Sequence, residues 1–129
     1  MADNQYQVHE IYIKTQQIMA NEFNHSEIFS YSDLIDYADG SIVSRQIIQR
    51  KSGNITLFSF DKGQKLSEHT APFDAVISVI DGEAEVRINS IPFKLTAGQN
   101  IIMPANIPHA VNATERFKMV LTMIKDNQQ

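Results

Sequence analysis

Gly63-Gln-Lys-Leu-Ser-Glu-His69-Thr-Ala71-Pro-Phe-Asp74-Ala75-Val-Ile-Ser-Val-Ile-Asp81-Gly82 is the stretch from which the fold is read, and Gly98-Gln-Asn-Ile-Ile-Met-Pro104-Ala-Asn106-Ile-Pro108-His109-Ala-Val-Asn112 is its counterpart. Each places one histidine, His69 or His109, near the end of a strand-forming run bounded by glycine turns. The chain holds only 4 histidines, so two of them in matching positions are a signal. Asp81-Gly82 is a strong hairpin signal, because a type I′ turn needs positive φ at both central residues. It leads one to expect paired strands over residues 75–80 and 83–88. In the second of these Ala84, Val86 and Ile88 alternate with Glu83, Glu85 and Arg87, the period-two pattern of a half-buried strand. Asn89-Ser90 and Thr96-Ala97-Gly98 read as two further turns.

Outward from this centre the pattern stays β. Residues 42–49 and 54–60 are strand-like and are separated by Arg50-Lys51-Ser52-Gly53. In the second, Ile55 and Leu57 share one face while Thr56, Phe58 and Phe60 share the other. Apolar residues on both faces imply burial on both, by a second sheet and by a partner chain. The last strand, over 116–124, carries Phe117, Met119, Leu121 and Met123 on one face, a stripe expected to fill a barrel near a pocket floor. Short strands with turn signals every ~8–12 residues argue for a sandwich or barrel. At the other end, Val8, Ile11, Tyr12, Thr15, Ile18, Met19, Glu22 and Phe23 fall at helical spacing. They predict a helix over 4–23, packed on the barrel or contributing to a dimer. A short strand over 27–30 and a helical turn over 32–37 complete an N-terminal part, 1–40, that packs on a barrel spanning 41–126.

Composition narrows the function. The 129 residues suit a single domain, and 43% hydrophobic with 20% charged residues describe an ordinary globular chain. A net charge of -4 argues against nucleic acid as a partner, since binding it needs a basic face that displaces counterions. Cysteine is absent, which removes disulfides and thiolate ligands. The start has neither the basic nor the apolar region of a signal peptide. No apolar run approaches the ~20 residues of a membrane span. A cytoplasmic protein with no membrane partner is the expectation.

The two quoted stretches resemble the paired motifs of the cupins, G-x5-H-x-H-x3,4-E-x6-G and G-x5-P-x-G-x2-H-x3-N. Gly63, His69 and Gly82 fit the first frame, with Ala71 at the second histidine position and Ala75 at the glutamate position. Gly98, Pro104 and His109 fit the second, with Asn106 in place of a glycine and Asn112 one residue early. The resemblance covers residues 42–124. It implies a mainly β double-stranded jelly-roll barrel with the N-terminal helix outside it, and a homodimer. It also implies that His69, Ala71 and Ala75 point into the barrel and that both histidines address a common centre. Asp74 is then out of phase with the missing glutamate, at the mouth or outside. Two of four usual ligand positions are therefore methyl groups.

His69 and His109 are accordingly the ligand-binding and metal-ligating candidates, with Phe58, Phe117 and Met119 as apolar walls. His25, among polar neighbours, and His9, on the helix, read as surface residues. The first reading is a binding module that holds a small molecule in an apolar barrel between two polar anchors. The alternative is a metal-dependent isomerase or dioxygenase. Catalytic metal sites usually keep three protein ligands, so it needs a third, for which Gln46 and Gln64 are the nearest donors. The ion would be a divalent transition metal such as zinc, nickel, manganese, iron or copper. A metal-free acid–base pair and two histidines that are structural leftovers satisfied by hydrogen bonds complete the set. A third polar group converging on the imidazoles would favour an enzyme, and apolar walls would favour binding.

Overall fold

The computed structural model describes residues 23–126. Over them a single 3-10 turn, Tyr31–Asp33, precedes eight strands: β1 (Ile42–Arg50), β2 (Gly53–Phe60), β3 (Lys65–His69), β4 (Asp74–Ile88), β5 (Ile91–Thr96), β6 (Asn100–Met103), β7 (His109–Asn112) and β8 (Phe117–Ile124). All pairings are antiparallel. The backbone order runs β1-β2-β8-β4-β7-β3, with β5 and β6 also on β4. One sheet holds β1, β2, β8, the first part of β4 and β6. The other holds β5, the second part of β4, β7 and β3. The mainly β barrel expected from the sequence is what forms.

The expected hairpin at Asp81-Gly82 does not exist. β4 runs unbroken from Asp74 to Ile88 and passes from one sheet into the other. Val79 pairs with Met119 and Asp81 with Lys118, so Ile80 is an extra residue on β4. Such a bulge reverses the side-chain phase. Ala75, Ile77 and Val79 face the core before it, and Ala84 and Val86 after it. Gly82 serves a close crossing: its φ is +77°, and a Cβ there would collide with the Arg116 backbone. Positive φ and glycine are common to a turn and to a crossing, which is why the dipeptide misleads. The two-residue turn that does form is Asn89-Ser90, with φ of 53° and 68°, joining Ile88 to Ile91 across β4 and β5.

The outer face of the first sheet is covered from within the chain. Ile35, Ile47, Leu57 and Val120 are buried together, with Phe23, Tyr31, Leu34, Val43 and Ile55 packed against them. Residues 23–37 thus cap the second apolar face of β2. The Arg45 guanidinium lies 4.4 Å from the Phe23 ring centroid and donates to the Leu34 carbonyl at 3.0 Å. Residues 27–30 join no ladder, contrary to the strand expected there. Phe29 instead packs edge-on against Phe23 and Tyr31, at 5.1 and 5.3 Å, so ring contact rather than edge pairing holds the segment. The helical turn expected over 32–37 is the single turn at Tyr31–Asp33. The helix expected over 4–23 lies, apart from Phe23, outside the described residues. No helix among the described residues is long and apolar enough to cross a membrane.

At the end of the barrel near Gly82, a polar latch ties the 37–41 segment down. Arg116 donates to Asp61 and to Asp39, each at 2.7 Å, and Tyr37 donates to Asp81. The Arg116 hydrogen bond, helped by the Gly40 N–H, holds the Asp61 carboxyl down at about 2.

Candidate functional site

The register stacks the inner side chains of the first sheet in rows. Phe60 and Phe117 form one row, and their rings stack at 4.5 Å with an interplanar angle of 18°, closing the barrel interior. Above them stand Phe58 and Met119, then Gln46, Thr56, Leu121 and Ile77, then Gln49, Asn54, Met123, Ala75 and Met103. These upper rows, with Leu66, His69, His109 and Val111 from the facing sheet and Phe73 and Lys125, line a cavity of about 270 Å³. Of the apolar walls expected from the sequence, Phe58 and Met119 line it. Phe117 does not: it lies one row below the floor, as part of the plug, because a strand stripe extends past the cavity it lines.

Two bulges aim the polar residues. In β3, Leu66 pairs with Val111 and His69 with His109, so Ser67 and Glu68 stand opposite Ala110 alone. Leu66 and His69, an odd number of residues apart, therefore reach the same cavity. In β1, Gln46 pairs with Thr56 and Ile48 with Ile55, leaving Ile47 unopposed. Ile47 turns outward, and Gln46 and Gln49 both turn inward, where Gln46 Nε2 donates to Gln49 Oε1 at 2.6 Å.

His69 and His109 are direct cross-strand partners. Their ring centroids are 4.4 Å apart and the rings meet edge-on at 71°. His69 Nδ1 lies 3.0 Å from the Ser67 carbonyl, and His109 Nδ1 lies 3.1 Å from the Ile107 carbonyl. A carbonyl only accepts, so in the neutral rings Nδ1 carries the hydrogen and Nε2 keeps its lone pair. Each imidazole is thereby left with Nε2 as a hydrogen-bond acceptor or metal donor, and both residues line the cavity. Burial, and next the neighbouring His69, push the His109 pKa below its ordinary value.

That shift has a thermodynamic consequence. The unfolded chain takes up a proton at this residue from ~6.5 downward, and the native chain resists it. Stability is thus expected to fall as pH drops below ~6.5, until native His109 itself titrates. Urea midpoints from about pH 7.5 to about pH 5.5 should decline in the wild type, and His109→Gln should flatten that part of the slope.

The chain matches the Cupin domain family over residues 56–125. It is a cupin. A conserved protein of unknown function from Streptococcus pyogenes is similar at 36% identity, covering 83% of this chain and 94% of that one, with a TM-score of 0.78. A cupin 2 conserved barrel domain protein from Leptotrichia buccalis is 41% identical over 73% of this chain, with a TM-score of 0.71; the match spans 46% of that longer protein. A cupin superfamily protein from Desulfitobacterium hafniense shares the fold at 24% identity and a TM-score of 0.76, covering 82% and 97% of the two chains. No functionally curated protein is similar enough to match the chain.

Within the cupin frame, the two substituted ligand positions sit as follows. Ala75 lines the cavity. Ala71 is buried beyond the end of β3, its carbonyl accepting from Asn106 N–H at 2.7 Å. Asp74 is turned out and accepts from Ala105 N–H at 2.8 Å, and Glu68 is exposed. Gln46 reaches the cavity, while Gln64 is not among its lining residues. Among the described residues no group of three His, Cys, Asp or Glu side chains comes together. Two imidazoles alone fall short of the three protein ligands of a catalytic metal site; such a centre would need Gln46, the one of the two expected further donors that lines the cavity.

Sequence reasoning missed several lining residues, Gln49, Asn54, Leu66, Phe73, Met103 and Lys125 among them, and placed Leu121 and Met123 on the barrel-filling face without assigning them to the site. Gln49 reads as the last residue of its strand, against a polar turn run, and Lys125 follows the last apolar residue of β8. Only their register partners place them at the cavity.

Proposed function

We propose that this cupin binds a small molecule inside the barrel, anchored by His69 and His109, with at most weak metal binding. The observation that carries the reading is that both imidazoles line one closed-bottomed, largely apolar cavity while backbone carbonyls hold their Nδ1 atoms, which leaves Nε2 as the acceptor on each ring. Mostly apolar walls with a few fixed polar groups are the usual make-up of a small-molecule site. Acid–base catalysis by the pair would call for a carboxylate to orient an imidazole. Backbone carbonyls hold the Nδ1 positions instead.

A thermal-shift screen of small polar organic compounds, followed by calorimetry on the best, tests this. A compound bound at the pair should lose about five- to tenfold in affinity in either His69→Ala or His109→Ala, the worth of one hydrogen bond. Unchanged affinity in both variants would show that the imidazoles do not anchor the ligand.

A further inference from the structure

The cavity is charged in one direction only. Among the described residues no aspartate or glutamate lines the cavity, whereas Lys125 does. Lys125 Nζ lies 5.8 Å from the Phe73 ring centroid, and its ammonium makes no ion pair among the described residues. Its backbone N–H donates to the Ser52 carbonyl at 2.7 Å, which prolongs the β8–β2 pairing past Met123. Lys125 is therefore one step nearer the mouth than Met123, on the same face. Asn54 is the cross-strand partner of Met123, which makes it a diagonal neighbour of Lys125 within reach of one ligand group. The Asn54 Oδ1 atom is buried without a hydrogen-bond partner. The same amide carries two N–H donors, and Asn54 lines the cavity.

We propose that the ligand is a small organic carboxylate. Its carboxylate sits at the rim on Lys125 and the Asn54 amide. Its apolar body lies on Phe58, Met119 and Leu121, and a hydroxyl or amino donor meets the imidazole Nε2 atoms. The parts agree with one another: a cation and an amide donor at the rim recognise an anion, while two acceptors on the other wall recognise a donor. The cavity of about 270 Å³ equals roughly nine waters at ~30 Å³ each, which admits a ligand of about that many non-hydrogen atoms. Three methionines, Met103, Met119 and Met123, line it, and their thioethers adapt to a flat ring. This assignment rests on the small-molecule reading above and sets the class of ligand.

Calorimetry with a matched pair, para-hydroxybenzoate and its neutral amide, para-hydroxybenzamide, tests it on the full chain. The acid is expected to bind at least about tenfold more tightly than the amide, as a charge-assisted contact requires. Lys125→Met should erase that difference by weakening the acid alone, and Lys125→Arg should keep most of it. Circular dichroism of each variant checks that the barrel is intact. Equal binding of acid and amide by the wild type, or an acid affinity unmoved by Lys125→Met, overturns the carboxylate assignment and leaves the pocket reading standing. Failure of both probes at millimolar concentration overturns it as well, and the His69→Ala and His109→Ala comparison then judges the pocket reading by itself.

Discussion

Gly82→Ala is expected to destabilise the protein by ~4 kcal/mol or more, enough to leave a large unfolded fraction in a domain whose total stability is about 5–15 kcal/mol. A Cβ at this position collides with the Arg116 carbonyl oxygen and lies 2.7 Å from its carbonyl carbon and 2.8 Å from the Phe117 Cα. All three atoms are backbone, so no side-chain rotation relieves the clash. β4 and β8 would have to separate where Gly82 pairs with Phe117. That movement disturbs the stacked Phe60–Phe117 plug and the Arg116 bonds to Asp61 and Asp39. Gly40→Ala is the control: its φ is +64° with nothing within 4 Å of the added methyl. That variant bears only left-handed strain, ~1–2 kcal/mol. Urea denaturation of both decides the matter. Similar losses for the two would mean that the crossing is looser than its backbone distances imply.

Restoring the two substituted cupin positions together, Ala71→His with Ala75→Glu, is expected to raise zinc or nickel affinity by about a hundredfold or more, since it takes the site from two protein ligands to four. The wild-type chain should retain less than one ion per barrel after dialysis. His69 and His109 already face each other across β3 and β7, and Ala75 already lines the same cavity. Ala71 is buried nearby with its backbone held by Asn106, so its replacement needs room at the mouth. Binding requires neutral imidazoles, and affinity should fall with pH through ~6.5. For His109, whose pKa lies below the ordinary value, the loss extends further down. Competition with a chromophoric chelator measures the change. A gain under about tenfold would show that the motif frame misplaces the ligands, and stoichiometric metal in dialysed wild type would show a ligand beyond these two.

Much of the barrel was legible because alternation is written in each strand's own residues. Phe58 and Phe60 on β2, and Phe117, Met119, Leu121 and Met123 on β8, announce one inward face each without reference to any neighbour. The turn at Asn89-Ser90 is equally local. His69 and His109 stood out because the glycines and the proline around them match the cupin motifs, and the β3–β7 register does bring the two together. Asp74, out of phase with the missing glutamate in the cupin frame, is turned away from the cavity as that frame implies.

What the residues alone could not settle was where that period breaks. Ile47 on β1, Ser67 and Glu68 on β3, and Ile80 on β4 are each a one-residue slip against a partner strand. A slip reverses every side chain beyond it. It brings Gln49 to the cavity wall and His69 to the same side as Leu66, and it lets β4 serve two sheets where Asp81-Gly82 suggested a turn. The depth of the cavity was also undetermined, so Phe117 was assigned to a wall when it belongs to the plug. Asn54 and Lys125 became parts of the site only through pairing between β2 and β8. Alternation is a property of one strand's sequence, whereas register is a property of two strands, chosen by how well their side chains pack together; the first could be read along the chain, and the second existed only once the barrel had closed.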